Sequence, residues 1–196
     1  MRVLVVLAHP VAESFAHAIH RSAVTALIRA GHEVRELDLY GIGFDPVMSA
    51  EDRLDYHTPG ANEVHVAEHL DHLRWAEGLL FVYPTWWYSM PAMLKGWIDR
   101  VWVPHVTFEL PKGFAPIKGR LHNIRLIGAF STYGSPWWWV RLVIGDPGRR
   151  IVLRGVRPLS NPGCRSFWLG HYRMDSSTPE SRKRFLERVE ALAARI

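Results

Sequence analysis

Three segments of the chain place residues that could bind a ligand directly after stretches of apolar residues. Residues 8–15 contain His9 and Ser14, whose side chains can donate hydrogen bonds to a phosphate, whereas residues 83–91 and 131–139 are rich in aromatic rings. Aromatic faces stack on flat heterocycles, and backbone N–H groups can meet the polar edge of such a ring. Together the three segments predict a site for a planar ligand that carries a phosphate.

The first segment joins a predicted strand to the start of a predicted helix. The positive end of a helix and its free backbone N–H groups favour phosphate binding. The segment is neither a G-x-G-x-x-G fingerprint nor a P-loop, which argues against a Rossmann dinucleotide-binding domain and against a nucleoside triphosphatase. An alternative stays open, in which His9 is an ordinary turn residue and Ser14 only caps the helix.

The second and third segments crowd bulky rings where a strand ends and the chain turns. Residues 86–88 are Trp-Trp-Tyr and residues 137–139 are Trp-Trp-Trp, while Gly134 permits a close approach of the backbone to a ligand. Consecutive helical side chains diverge by about 100°, so at least one ring of the triplet must face a ligand, a lid or another subunit. Alternatively, the rings of residues 86–88 cover the core or a subunit interface.

Apolar patterning predicts the elements that position these segments. Apolar runs predict strands at residues 3–8, 78–83, 124–131 and 167–172, and alternating polar and apolar residues predict a strand at the sheet edge at residues 33–39. Helical spacing predicts helices at residues 14–30, 64–75, 91–102 and 137–153, the last interrupted at 146–148, and a final helix that begins after the cap residue Thr178. Residues 41–62 are expected to form a loop.

Strands that alternate with helices predict an α/β fold. We expect a doubly wound, five-stranded parallel sheet with helices on both faces, formed by one domain over residues 1–196. In such sheets ligands bind beyond the C-terminal ends of the strands, where the strand order reverses. The three segments therefore lie where a ligand is expected.

Composition limits the function classes further. The formal net charge is +5, yet residues 1–75 are acidic and residues 118–173 hold ten Lys or Arg against one acidic residue. This asymmetry predicts an acidic partner for the later segment, or else a solvated basic face. The single cysteine, Cys164, excludes a disulfide or a thiolate zinc site and suits the cytoplasm, and no segment is long and apolar enough to cross a membrane.

Histidines do not predict a metal site. His65 and His69 are four residues apart on a predicted helix, with His72 on the adjoining face, but no glutamate base of the H-E-x-x-H type lies between the pair. We expect exposed helix histidines and no bound metal. Cys164 is expected to be a structural thiol.

Residues 9–15, 84–101 and 131–134 together resemble the flavodoxin-fold NAD(P)H:quinone oxidoreductases, the DT-diaphorase family, and the similarity extends over about residues 2–175. The block that ends in Lys95-Gly96-Trp97 is its most distinctive part. The resemblance implies a flavodoxin-like fold and a bound flavin, which is FAD in much of the family and FMN in some relatives. It also implies two-electron transfer from NADPH or NADH through flavin N5 to a quinone, with ping-pong kinetics, in a homodimer.

The resemblance also assigns site residues. The flavin would be held by three groups of residues: His9, Ser14 and Phe15 along the phosphate and ribityl chain; Pro84, Thr85, Trp86, Trp87 and Tyr88 beside the ring; Ser131, Thr132, Tyr133 and Gly134 at its opposite end. The substrates would meet Tyr88, Trp138, Trp139, Arg149 and Arg150, with Tyr133 and Trp138 as contributors to catalysis. Arg141, Arg149 or Arg150 could bind the phosphates of NADPH.

The sequence departs from the family at three points. Ala16 replaces an Asn that relatives often carry. Trp138 or Trp139 and Ile144 stand where the animal enzymes have a Tyr and a His that stabilise charge on the reduced flavin. These differences leave open what handles protons in this chain.

Other functions fit the same fold. Some relatives are regulatory partners of membrane cation-efflux systems, and a basic face would suit a protein that docks on such a transporter. A flavodoxin-type electron carrier fits less well, because those proteins are acidic and the sequence pI here is about 9.7. No motif predicts nucleic-acid binding.

Overall fold

A computed structural model describes residues 1–111 and 113–196. Its strands are β1 (Arg2–Leu7), β2 (Glu33–Asp38), β3 (Gly78–Pro84), β4 (Phe108–Glu109), β5 (Lys118–Gly119), β6 (Leu126–Thr132) and β7 (Arg165–His171). Its α-helices are α1 (Phe15–Arg29), α2 (Ala50–Asp55), α3 (Ala67–Trp75), α4 (Ala92–Val101), α5 (Pro147–Arg150) and α6 (Pro179–Ala193). Short 3₁₀ turns lie at Ala61–Val66, Arg157–Leu159 and Met174–Ser176, and π-helical turns at Trp139–Ile144 and Ile151–Val156.

Five parallel strands form the central sheet in the order β2-β1-β3-β6-β7. The chain leaves β1 toward β2 on one side and returns to β3 on the other, so the strand order reverses between β1 and β3. Strands β3 and β6 are buried along their whole length, which explains their continuous apolar sequences, whereas the edge strand β2 is largely exposed. The predicted doubly wound five-stranded sheet is confirmed.

Helices cover both faces of this sheet and bury two separate apolar cores. Alternate residues of a strand point to opposite faces, so Val5 packs toward α1 and α6 while Val6 packs toward α3 and α4. Trp97 of α4 is the largest of the fully buried side chains and lies in the core between the sheet and the helices α3 and α4. The helix caps also follow the sequence, since Ser14 caps α1 and Thr178 caps α6 ahead of Pro179.

Four details of the predicted elements were wrong. Residues 41–62 are not only a loop, because Ser49 and Asp52 form a capping box that starts α2. The helix expected over residues 64–75 begins as a 3₁₀ turn and becomes α-helical at Ala67. The pair β4 and β5, a short antiparallel ribbon, was not predicted at all.

The fourth correction concerns residues 137–153, which are not one interrupted helix. Two π-helical turns flank the four-residue helix α5, and Gly145 and Asp146 between them both adopt positive φ angles, 81° and 51°. Left-handed residues cannot continue a right-handed helix, so the helix is interrupted at Gly145 and Asp146, and Pro147 begins α5. In the described part of the chain, no helix combines the length and apolar character that crossing a bilayer requires.

Candidate flavin site

The loops that follow β1, β3 and β6 meet at one end of the sheet. Backbone hydrogen bonds continue beyond the strands, from Ala8 N to Val82 O (3.0 Å) and from Thr85 N to Thr132 O (2.8 Å). A cavity of about 640 Å³ opens there, lined by His9, Phe15, Ala16, Pro84, Thr85, Trp86, Trp87, Thr132, Gly134, Met174 and Asp175. A second cavity of about 380 Å³ adjoins it and shares Thr85, Trp87, Gly134 and Asp175.

The loop from β1 to α1 places His9 in the lining of the first cavity, with the cap residue Ser14 and His17 of α1 behind it. The Ser14 hydroxyl accepts a hydrogen bond from His17 N (3.3 Å), as an N-cap does, and lies 3.1 Å from His17 Nδ1. His9 Nδ1 accepts from Val11 N (3.0 Å), so a neutral His9 carries its proton on Nε2. Burial lowers the pKa of His9 and keeps that ring neutral. The loop thus offers neutral donors beside the positive end of α1.

The loop after β3 is a tight turn built from bulky aromatic residues. Trp86 and Ser89 exchange two backbone hydrogen bonds (3.2 and 3.1 Å), and the two residues between them, Trp87 and Tyr88, have φ angles of 51° and 63°. Such a turn normally carries Gly or Asn, because a side chain is strained at positive φ. The strained backbone presents the Trp87 ring almost wholly to solvent, at 94% exposure.

The hydroxyl of Tyr88 links this turn to two residues that follow β6, Ser135 and Trp139. It accepts a hydrogen bond from Trp139 Nε1 (3.2 Å) and lies within 3.3 Å of Ser135 Oγ. The backbone of Tyr88 also accepts from Gly148 N (3.2 Å) in α5. Tyr88 therefore lines the second cavity, and its hydroxyl links the cavity wall to residues 137–144, the tryptophan segment.

The predicted residues at the end of β6 divide into two groups. Thr132 and Gly134 line the first cavity, whereas Ser131 is fully buried and donates its hydroxyl to Tyr83 O (2.8 Å), so it does not line either cavity. Ser14 likewise acts from behind the cavity wall. Ser14 and Ser131 therefore adjoin the cavity-lining residues without lining a cavity themselves, and their contact with a flavin stays a prediction.

Tyr133 lines the second cavity, but its hydroxyl is used within the protein. It donates to Asp146 Oδ1 (3.0 Å), and its ring stacks on Tyr172 at 4.6 Å. Burial and the Asp146 carboxylate raise the pKa of the Tyr133 phenol, so it remains protonated. A catalytic contribution from Tyr133 stays a prediction.

Asp146 is a buried carboxylate, 3% exposed, between the tryptophan segment and the sheet. Its second oxygen lies 2.9 Å from Arg141 Nε, which also donates to Tyr172 OH (3.3 Å). Burial raises the pKa of the nearby Tyr83 phenol, with Asp146 adding to the effect. The Asp146–Arg141 pair thus holds the first π-helical turn against β6.

Among the predicted substrate residues, Tyr88 lines the second cavity, whereas Trp138, Trp139, Arg149 and Arg150 are not among the residues that line either cavity. Trp137, Trp138 and Trp139 are all exposed, at 57%, 46% and 38%, which agrees with the expectation that at least one ring faces away from the core. Arg149 and Arg150 belong to α5, next to the Tyr88 turn, and neither is among the residues that line the two cavities. Their contact with a substrate stays a prediction.

Five lining residues were not predicted to line the site: Ala16, Ser135, Val140, Met174 and Asp175. Asp175 is an exposed carboxylate that borders both cavities. It follows the edge strand β7, and no motif in its sequence distinguishes it. The sequence could have indicated Asp175 only through its position shortly after the last parallel strand, because ligands bind beyond the C-terminal ends of such strands.

The structure corrects the expectation for His69 and agrees with that for Cys164. His69 is half-buried, accepts a hydrogen bond from Trp97 Nε1 (3.3 Å) and packs on Phe44, so it is not an exposed helix histidine. Burial lowers its pKa. Cys164 is buried, and burial raises its pKa, as a structural thiol requires. Among the described residues no group of three acidic, His or Cys side chains is arranged to hold a metal ion.

The chemistry of the cavity fits a flavin. At Gly134 an added Cβ would lie 2.7 Å from Asp175 Oδ2, so glycine leaves room where the two cavities join. Aromatic rings line this cavity together with His9, whose ring centre lies 6.1 Å from that of Trp86, beside the N-terminus of α1. This combination suits a flat ring joined to a phosphate through a polar chain.

Comparisons with known proteins give the same answer. A sequence model described as "Flavodoxin-like fold" matches residues 1–138, and the chain belongs to this family. The resemblance to flavodoxin-fold NAD(P)H:quinone oxidoreductases is confirmed by the relatives. The ribosyldihydronicotinamide dehydrogenase-like protein traD of Penicillium crustosum is 38% identical over 117 residues, 52% of this chain and 44% of that protein.

Two further matches extend the similarity. NAD(P)H dehydrogenase [quinone] 1 of Rattus norvegicus is 32% identical over 151 residues, which are 68% of this chain and 54% of that protein. The crystal structure of Smu.1420 from Streptococcus mutans superimposes over the full length of both chains with a TM-score of 0.87 and 27% identity. The chain spans about half the length of the curated relatives it matches.

Proposed function

We propose that this protein is a flavin-dependent NAD(P)H oxidoreductase that transfers two electrons to quinones or similar planar acceptors. The cavity at the switch in strand order carries this proposal, because aromatic rings and phosphate-suited donors border one space there. Relatives named as NAD(P)H and ribosyldihydronicotinamide dehydrogenases support the same activity. When bound, a flavin supplies a ring nitrogen that accepts and donates hydride.

The protein would position the cofactor rather than take part covalently. His9 and the N-terminus of α1 bind the phosphate end, and the strained turn at Trp87 and Tyr88 brings backbone N–H groups to the polar edge of the ring. The buried Ser131 and the hydrogen bond from Thr85 Oγ1 to Thr132 O (2.6 Å) keep the two wall strands in register. The second cavity then receives the nicotinamide and, after it leaves, the acceptor.

The cofactor in this proposal is FAD, with FMN as the second candidate, and the electron donor is NADPH. The basic helix α5 supports NADPH, because Arg149 and Arg150 lie beside the turn that borders the second cavity. Arg149→Ala and Arg150→Ala should lower kcat/KM for NADPH about tenfold relative to NADH, since charge-assisted contacts to the 2′-phosphate, which NADH lacks, are lost. An unchanged NADPH-to-NADH ratio would exclude this role.

The proposal includes a homodimer. An apolar groove of about 530 Å³ away from the cavities, bordered by Tyr56, Ile98, Trp102 and Phe108, offers a surface that a second copy could cover. Sedimentation equilibrium measures the assembly state directly. The alternative, a regulatory subunit of a membrane transporter, is supported by the basic face alone, whereas the dehydrogenase relatives favour an enzyme.

One experiment tests the proposed activity. The purified protein is expected to show a flavin absorption spectrum, and the released chromophore is identified as FAD or FMN by chromatography. Anaerobic NADPH should bleach this spectrum, and a quinone should restore it. A protein that binds neither FAD nor FMN, or whose bound flavin is not reduced by either nicotinamide nucleotide, would overturn the proposal.

A further inference from the structure

Asp175 places a carboxylate where the two cavities join. It borders both of them, whereas His9, the residue proposed to meet the phosphate, lines only the first. Its Oδ2 lies 2.7 Å from the position that a Cβ on Gly134 would occupy, and Gly134 also borders both cavities. The carboxylate therefore borders the space proposed for the substrates, and not only the cavity proposed for the cofactor.

Backbone hydrogen bonds fix the turn that carries Asp175. The 3₁₀ turn Met174–Ser176 follows β7. Its first backbone N–H donates to Tyr133 O (2.9 Å), and the N–H of Arg173 donates to Ser135 O (3.3 Å). Both acceptors belong to residues that line the second cavity. The fold thus holds the Asp175 backbone against the wall of that cavity.

Asp175 is the one charged side chain among the described residues that line the two cavities. In that part of the chain the lining contains no lysine, arginine or glutamate, and burial lowers the pKa of His9 and keeps its ring neutral. Asp175 itself is exposed, and an exposed carboxylate is ionised at neutral pH. A ligand in these cavities therefore meets a lining with one net negative charge.

The arginines near this turn do not pair with Asp175. Arg141 lies 2.9 Å from Asp146, and Arg182 donates to Ser177 O (3.2 Å). Within the described residues, no lysine or arginine nitrogen lies within 4 Å of the Asp175 carboxylate. The charge nearest to a ligand at the junction of the cavities is therefore negative.

We infer that Asp175 is a specificity-determining residue that selects planar acceptors by charge, favouring neutral or cationic rings over rings that carry a sulfonate or a carboxylate. The inference rests on the proposed function, because it names the class of acceptor that the same site takes. Two like charges about 6 Å apart in a water-exposed site repel enough to weaken binding about threefold, and salt reduces the effect. The nicotinamide ring of the electron donor has no negative charge, so the carboxylate does not oppose it.

Redox-inactive ligands test the charge of the site without turnover. Naphthalene-2-sulfonate and naphthalene-2-sulfonamide share a ring and nearly the same size, but only the sulfonate is charged at neutral pH. Asp175→Asn keeps the shape of the side chain and removes its charge. The ratio of the sulfonate Kd to the sulfonamide Kd, measured by calorimetry on the purified protein, should fall about threefold in Asp175→Asn and about tenfold in Asp175→Lys.

Steady-state kinetics test the same selection in the reaction. With 1,4-naphthoquinone and 1,4-naphthoquinone-2-sulfonate as acceptors, Asp175→Asn should raise kcat/KM for the sulfonate about threefold relative to the neutral quinone, through KM. Salt at about 0.5 M should abolish this difference between the variant and the wild type. Glu33→Gln is the matched control, because Glu33 is an exposed carboxylate at the start of β2, at the opposite end of the sheet, and it should keep the wild-type ratios.

The outcomes separate this inference from the proposed function. If Asp175→Asn keeps the wild-type ratios at low ionic strength while the protein reduces the neutral quinone, the inference is wrong and the proposed function stands. If the protein reduces neither quinone with NADPH or NADH, the proposed function fails. The Kd ratio of the two naphthalene ligands then still decides whether Asp175 selects ligands by charge.

Discussion

At the scale of single residues, Gly134 is the glycine whose small size bears most directly on the candidate site. It borders both cavities, and an added Cβ would meet the end of the Asp175 side chain at 2.7 Å. Asp175 is exposed and can turn away, so the fold tolerates a methyl group there. The space that the methyl group takes is the space in which a flavin would lie.

Gly134→Ala should therefore weaken flavin binding without weakening the fold. We expect roughly a tenfold rise in the Kd of FAD, in the range that overpacking a filled site costs, and no change in the Tm of the apoprotein. Fluorescence titration and thermal unfolding measure the two quantities. Gly155→Ala is the control, because nothing lies within 4 Å of the Cβ it would add. Equal FAD affinity in both variants would place the ligand elsewhere.

The sequence identified cavity-lining residues where a motif follows a buried strand. His9, Phe15, Thr85 and Gly134 belong to such motifs, and all of them border the first cavity. Ser131 belongs to one as well, but its hydroxyl is taken by Tyr83 O. A sequence cannot show which polar side chain the neighbouring strand will claim, because that partner is 48 residues away.

At the scale of elements, Tyr88 connects the aromatic turn to the tryptophan segment. Its hydroxyl accepts from Trp139 Nε1 at 3.2 Å and lies 3.3 Å from Ser135 Oγ. Phenylalanine keeps the ring and loses both contacts. The change thus separates the packing of Tyr88 from its hydrogen bonding.

Tyr88→Phe should loosen the segment over residues 137–144 and leave the rest of the fold intact. Amide hydrogen exchange in this segment should quicken several-fold, because each lost hydrogen bond contributes about 1 kcal/mol. Tyr40→Phe is a matched control, since the Tyr40 hydroxyl makes no hydrogen bond to the described residues. Unchanged exchange in Tyr88→Phe would mean that the Asp146–Arg141 pair alone holds the segment.

Two errors at the element level have different physical origins. Helix α2 could have been found, because Ser49 and Asp52 have the spacing of a capping box. The π-helical turns could not, since they depend on Asp146 adopting a left-handed conformation stabilised by Tyr133 and Arg141. Tertiary contacts of that kind leave no local pattern in the sequence.

At the scale of the whole molecule, the sheet was predictable because its inner strands are buried on both faces. Burial of this kind demands unbroken apolar runs, which stand out in the sequence, and the mixed pattern of β2 marks the edge. The same burial has a consequence for pH. The residues buried near the sheet include several histidines, and the apolar interior disfavours their charged forms.

His20, a residue only 6% exposed, shows the effect most clearly, since burial lowers its pKa from 6.5 to about 4. Burial also lowers the pKa values of His9, His69 and His171. In each case the unfolded chain binds a proton more readily than the folded chain. The free energy of unfolding is therefore highest above the histidine pKa of the unfolded chain. It falls as the pH drops toward the lower pKa that these histidines have in the folded chain.

The free energy of unfolding should accordingly fall between about pH 6.5 and about pH 4, with His20 alone contributing about 3 kcal/mol. Urea unfolding of the apoprotein at several pH values measures this slope. His20→Leu removes the titrating ring but keeps a helix-compatible apolar side chain, so the slope should become shallower by about one proton. His122→Gln, at an exposed position, should keep the wild-type slope. A His20→Leu variant with the full wild-type slope would show that the acid sensitivity of the fold comes from other groups.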